Sequence, residues 1–476
     1  MNRALLMGIV VTMLHLSSLG DAHAFAFYVD ASCSFNGNGR ADQCATAAGG
    51  AGAWNGTVSD SSGGVQNCFN TLVAGDTCFI RNGTYITTWV GNDYRLSGGF
   101  HPMNSGTATA PITYRAYPGH RPVLVNCTNG TQSECSHQTI SANQQSYIVY
   151  DGLTIVGAMY LLNSHPGPMG LGLEIKNCDV SVGWFGDGNW SGVYLEWWDG
   201  ARVHHNRFHD IVPVLGAIQS GSGLKQYTSI NTIVEYNTFE NLPVRANGID
   251  AKYDAVNNVF RYNLFRNING NSVEFNSYSP GNLAVPGSGA IYGNIAYNVN
   301  TGIALIRNVS GLDVYNNTFV NMGEMYYQPS DGSSILGLRQ WNNIVNGMNA
   351  TGEGKLTNIY GPAAPQMSDY NVWQSGFPFT WANTSYSTLS DLQTQRGIDL
   401  HSQATNCSFV NASSDFHLAP GSTCLTAGRV GGTSNGAVVQ VGAYGVTSCV
   451  GHTCAGGGPP PPPVPPAAPR NLTILR

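Results

Sequence analysis

The chain of 476 residues is long enough to bury a large core, yet only 10% of it is charged, against roughly 25% in an average soluble protein. Its 21 basic and 27 acidic residues give a net charge of -6, which leaves no basic face for a nucleic-acid backbone. The 59 glycines, among many Asn, Ser, Thr and Tyr, suit short strands joined by tight turns.

Residues 1–24 read as a secretory signal: Arg3, the apolar run LLMGIVVTMLHL, then Ala22-His23-Ala24 as a small-x-small cleavage site before Phe25. The mature protein is therefore expected outside the cytoplasm, secreted, periplasmic or at the cell surface. No later stretch approaches 18 uninterrupted apolar residues, so no transmembrane span is expected. Export permits disulfides, and proximity suggests Cys33 with Cys44, Cys68 with Cys78, Cys127 with Cys135, Cys407 with Cys424 and Cys449 with Cys454, although connectivity does not follow from spacing. Cys178 is left over.

From residue 148 onward one phrase recurs: an apolar residue, two variable residues, usually Asn, one variable residue, then an apolar residue. It reads Ile148-VY-Asp151-G-Leu153, Ile175-KN-Cys178-D-Val180, Val203-HH-Asn206-R-Phe208, Val234-EY-Asn237-T-Phe239, Phe260-RY-Asn263-L-Phe265, Ile291-YG-Asn294-I-Ala296 and Val314-YN-Asn317-T-Phe319. Successive fourth positions lie 27, 28, 31, 26, 31 and 23 residues apart, a period that indicates a solenoid of short strands. The β-branched and aromatic content, spaced for strands, disfavours helical repeats. The expectation is an all-β parallel β-helix whose coils hydrogen-bond at about 4.8 Å, with a column of stacked Asn at one bend and Phe and Val stacked inside. Cys178 falls on that column, as an inert buried thiol. The predicted divisions are an N-terminal cap and first coils (25–135), a central β-helix (136–350), irregular last coils with a C-terminal cap (351–455) and a Pro-rich tail (456–476). The tail holds an extended tether, GGGPPPPPVPPAAPR, and NLTILR, which resembles the first strand of a fibronectin type III module.

Several stretches carry a family resemblance: Ala74-Gly-Asp-Thr77, Asn82-Gly-Thr-Tyr85, APITYRAYPGHRPVL (110–124) and YIVYDGLTI (147–155), with DFHLAPGSTCLTAGR (415–429) and VGAYG (441–445) near the end. The chain resembles the pectate-lyase-like superfamily of right-handed parallel β-helices, in particular secreted polysaccharide lyases of the chondroitinase B and pectate lyase type. That resemblance implies the fold over roughly residues 65–445 and a polysaccharide partner. It does not transfer a catalytic site, because there is no NGDD-type aspartate cluster and no Arg-His-Gly tripeptide. The superfamily also includes hydrolases and adhesins.

A site has to come from the chain's own columns. The coils align as Gly192-VYLEWWD, Gly248-IDAKYD, Ser272-VEFNSY and Gly302-IALIRN. Alternation turns Val193, Ile249, Val273 and Ile303 inward, and stacks Asp250 on Glu274 and Lys252 on Asn276 outward. Two opposed carboxylates repel unless a cation, a proton or a basic side chain compensates them. In a lyase, Ca²⁺ held by Asp250 and Glu274 would bridge to a uronate carboxylate while Lys252, one of only four lysines, takes the C5 proton. The same residues, with Asp254, also read as a solvated strand face with Lys252 in surface ion pairs. Tyr194, Glu196, Trp198, Asn276 and Arg245 are the candidate substrate contacts, with Trp197 expected inward and Tyr194 and Trp198 available for sugar stacking. His204 and His205 need not face one side, so no zinc site is read there. Glu235 with Arg261, and Glu240 with Arg266, are expected as cross-strand ion pairs. A secreted polysaccharide lyase is the leading expectation. A paired-carboxylate hydrolase using Asp250 and Glu274, or a non-catalytic carbohydrate-binding or adhesive β-helix, stays open beside it.

Overall fold

A computed structural model describes residues 24–445, apart from 57, 60–63, 88–98, 127–137, 164–166, 183–190, 212–220, 244–245, 278–285, 330–334, 350–354 and 360–366. Twelve strands, from Ala26–Val29 to Met367–Asp369, stack in parallel as one face. The second and third faces belong to one continuous sheet, because strands such as Leu264–Asn276 and Ile295–Ile306 run across the bend between them. Each coil visits the three faces in turn and pairs with the next coil, which makes the molecule a right-handed parallel β-helix. No helix among the described residues is long and apolar enough to cross a membrane.

The bend between the first and second faces shows why the repeat reads as it does. The residue before each ladder position adopts the left-handed conformation, with φ between +51° and +66° at Asn177, His205, Tyr236, Tyr262, Gly293, Asn316, Asn342 and Tyr370. This turns the chain within a single residue and strands its backbone groups. The following Asn satisfies them. Asn206, Asn237, Asn263, Asn294 and Asn317 form one column in which each Oδ1 accepts from the backbone N–H and the Nδ2 of the preceding member, at 2.9–3.1 Å. The column runs on through Asn343 to Asn371, so it extends beyond the last repeat recognisable in the sequence. Cys178 takes the first position, its N–H donating to Asn206 Oδ1 and its thiol pushed by burial up to about 12; Asp151, expected on the column, pairs in register with Lys176 and lies off it.

Inside the bend, Phe208, Phe239 and Phe265 stack at 4.7 and 5.1 Å and are almost fully buried, so each coil seats its ring on the next. Burial of such rings is the main stabilising term of the solenoid. Gly248 is required where the third face begins, since a Cβ there would lie 2.5 Å from the Phe265 ring. Helix Val65–Thr71 adds Val65, Cys68 and Phe69 to the core, and helix Leu389–Arg396 adds Leu389 and Leu392. The second helix starts with a Thr388/Asp391 capping box and stops at Gly397, whose φ is +68°. Cys33–Cys44, Cys68–Cys78 and Cys407–Cys424 are bonded, in the N- and C-terminal regions, while Cys127, Cys135, Cys449 and Cys454 lie outside the described residues. Residues 1–23, which make up nearly all of the predicted signal (1–24), and the Pro-rich tail lie outside them as well.

Candidate functional site

The outer side of the third face carries the predicted residues. Strands Ser191–Glu196, Gly221–Tyr227, Ala246–Lys252 and Leu264–Asn276 stack in register so that Tyr194, Lys225, Asp250 and Glu274 form one column. The neighbouring column holds Glu196, Tyr227, Lys252 and Asn276. Leu195, Gln226, Ala251 and Phe275 point inward between them, as the alternation requires.

Asp250 sits at the centre. Its Oδ2 lies 3.2 Å from Lys225 Nζ and 3.5 Å from Lys252 Nζ, and accepts a long 3.5 Å hydrogen bond from Ser222 Oγ. Glu274 is held by three amides: Asn247 and Asn271 donate to Oε2 at 2.9 Å, and Asn276 donates to Oε1 at 3.1 Å. The side chains of Lys225 and Asp250 are fully buried, while Lys252 keeps 14% of its side chain exposed and lies 5.6 Å above the Tyr227 ring. Two ammonium groups thus face two carboxylates beneath the surface.

The electrostatics separate the two lysines. Burial pulls Lys225 down to about 8, against the opposing pull of Asp250. Burial is also the largest single influence on Lys252, but the charges of Asp250 and Glu274 outweigh it together and leave this lysine above its ordinary value. Glu274 is pushed up, first by burial and then by Asp250. Its three amide donors nevertheless fit the carboxylate form, because both oxygens already act as acceptors.

Several expectations change. The cluster is not a solvated strand face: Asp250 is inaccessible, and Glu274 is 8% exposed. Asp254 leaves the face, because the strand ends at Lys252 and Tyr253 turns the chain at φ +57°. Trp198 is fully buried, donating its indole N–H to the Leu161 carbonyl, and cannot stack on a sugar. The cause is Trp197, whose φ of +65° breaks the strand and inverts the alternation, so Trp197 is the partly exposed one of the pair. Tyr194 does point outward, but it lies sandwiched between Tyr160 and Tyr227 and donates to Glu196 at 2.7 Å, with 4% exposure. Glu196 and Asn276 keep partial exposure beside the cluster, and Arg245 lies outside the described residues. Lys225 is the residue that sequence reasoning missed. Gly223-Leu-Lys-Gln-Tyr227 matches the Gly-started pattern of the neighbouring coils, and including it in the alignment places a lysine in the Asp250 column.

The residues present do not fit a calcium ion. The two carboxylates are already balanced by two ammonium groups, Asp250 Oδ2 is shared between them, and both Glu274 oxygens accept from amides; the unpartnered buried oxygens of Asp250 Oδ1, Asn276 Oδ1 and Ser272 Oγ are too few for the six to eight oxygen ligands that calcium takes. No zinc site forms at His204 either: its Nε2 meets Glu174 at 2.8 Å and its Nδ1 meets His205 Nδ1 at 2.8 Å. Away from this face, Glu235 bridges Arg202 and Arg261, and Glu240 bridges Arg207 and Arg266, as cross-coil ion pairs.

Fold and cluster together define a parallel β-helix with a buried, charge-balanced quartet on one outer face. No protein-family model and no curated protein matches the sequence. Among solved structures, the chain is similar to an alginate lyase from Paenibacillus sp. str. FPU-7 (14% identity, covering 62% of this chain and 99% of that one, TM-score 0.40). It is similar to pectate lyase Pel9A (15% identity, 79% and 88% covered, TM-score 0.41) and to PfbA, a surface adhesin of Streptococcus pneumoniae (12% identity, 69% and 87% covered, TM-score 0.37). At such identities the activity has to be argued from the site.

Proposed function

We propose that the protein is a lyase of uronate-containing polysaccharides, with Lys252 as the base. The observation that carries this reading is the position of Lys252, the most exposed charged side chain of the quartet, in one outward column with the partly exposed Glu196 and Asn276. In its neutral form Lys252 removes the C5 proton of a uronate, the C–H electron pair becomes the C4=C5 double bond, and the C4–O bond breaks with the electrons leaving on the glycosidic oxygen, which takes a proton from water. Asp250 and Glu274 hold the lysine in place and raise its pKa, so turnover climbs as the medium becomes alkaline. A paired-carboxylate hydrolase is less well supported. It would need Glu274 to carry and donate a proton, whereas Asn247, Asn271 and Asn276 all donate to its carboxyl oxygens.

The test is a substrate screen over pectin, alginate, chondroitin and bacterial exopolysaccharides, run with the wild type and Lys252→Ala. A lyase yields an ultraviolet-absorbing unsaturated uronate, and the substitution abolishes it. New reducing ends without that chromophore would assign a hydrolase. Binding with neither product would assign an adhesive module, and wild-type rates in Lys252→Ala would remove the base from this site.

A further inference from the structure

We propose that Lys225 is a built-in counter-ion that takes the place of a metal, so that this cluster forms and operates without calcium. The inference concerns charge balance and holds whichever reaction the site performs. Its test therefore reads binding and stability, and can fail independently of the lyase assignment.

The column explains the need. Asp250 and Glu274 lie opposite each other on adjacent coils, and two like charges so placed destabilise a sheet unless something compensates them. One coil earlier, in the same column, stands Lys225, with its ammonium 3.2 Å from Asp250 Oδ2. Lys225 is fully buried, so it cannot be a surface lysine that happens to lean inward. A buried lysine is costly to place and is retained only with an anionic partner. The chain has just four lysines, and two of them converge on this one carboxylate oxygen. A calcium ion approaching that oxygen would have to displace Lys225 and sit against both ammonium groups. Lys252 shares the same carboxylate oxygen from 3.5 Å, but its side chain is 14% exposed, so Lys225 is the cation sealed against Asp250.

Removing the internal cation should therefore create the metal site that the wild type lacks. The measurement is isothermal calorimetry with CaCl₂ on the full chain, alongside thermal unfolding with added Ca²⁺ or with a chelator. The wild type should give no binding heat that depends on Asp250 and no Tm shift in either medium. Lys225→Met, which leaves two carboxylates opposed, should unfold at lower temperature, bind Ca²⁺ and recover part of its Tm when Ca²⁺ is added. Lys225→Arg, which keeps the charge, should remain insensitive to Ca²⁺. If Lys225→Met does not fold, the double change Lys225→Met/Asp250→Asn removes both halves of the pair and should restore folding. Calcium binding by the wild type that disappears in Asp250→Asn would overturn the proposal. So would a folded Lys225→Met that still ignores Ca²⁺, or a double variant no more stable than Lys225→Met.

Discussion

Asn263, in the middle of the ladder, offers the sharpest test of what holds the coils in register. Its Nδ2 donates to the Val234 carbonyl at 2.9 Å and to Asn294 Oδ1 at 3.0 Å, while its Oδ1 accepts from the N–H and the Nδ2 of Asn237, both at 3.0 Å. In Asn263→Ala some partners keep other bonds: Asn294 Oδ1 still accepts from the Asn263 N–H, and Asn237 Nδ2 still reaches the carbonyls of Val203 and Glu235. The buried Asn237 N–H loses its acceptor and the Val234 carbonyl loses a donor. At about 1–3 kcal/mol for each stranded buried group, the substitution should cost about 2–6 kcal/mol. Asn263→Asp preserves shape and acceptor but turns an oxygen against Val234 O and Asn294 Oδ1, so it should cost at least as much as Ala. Equilibrium unfolding in guanidinium, followed by circular dichroism and by tryptophan fluorescence, reads both the loss and any separation of the transition into local and global steps, as expected of a nearest-neighbour solenoid. A change below about 1 kcal/mol, or Asp milder than Ala, would refute the hydrogen-bond account and leave packing alone to set the register.

Three further outcomes follow from the site and its surroundings. Lys252→Ala should remove lyase turnover at least a hundredfold, yet lower stability only modestly, because Asp250 keeps Lys225 as partner; turnover against the wild type and Tm are the readouts. Lys225 has a folded pKa of about 8, below its ordinary 10.5, so between those values the unfolded chain binds more protons and this group's contribution to stability rises with pH; denaturant midpoints of the wild type and Lys225→Met at pH 8 and pH 10 should show that rise in the wild type alone. Trp198→Ala should destabilise by about 3–5 kcal/mol, as for a buried core indole, and a variant of unchanged stability with weakened glycan binding would instead restore the sugar-stacking role.

Local rules made the solenoid legible in the amino-acid sequence. A single left-handed residue followed by Asn, then a Phe or Val two positions on, is a self-contained turn, and repeating it every 23 to 31 residues admits one way of burying the apolar face. The same alternation placed Asp250, Lys252 and Glu274 together on the outer side of one sheet, where the register pairs them. It failed at Trp197, since one left-handed residue inverts every side chain after it and no propensity marks a Trp for that conformation. It failed at Tyr253 for the same reason, which removed Asp254 from the face. Burial was the other quantity beyond reach. Which outward side chains meet water depends on what packs over them from neighbouring coils, and only the assembled structure shows Tyr194 sandwiched, Asp250 sealed and Lys225 brought to within 3.2 Å of it. Composition and period therefore determined the architecture of this chain and the face that bears its charges. The tertiary structure decided which of those charges are buried and which cation neutralises them, because charge balance is settled between coils and not along the strand.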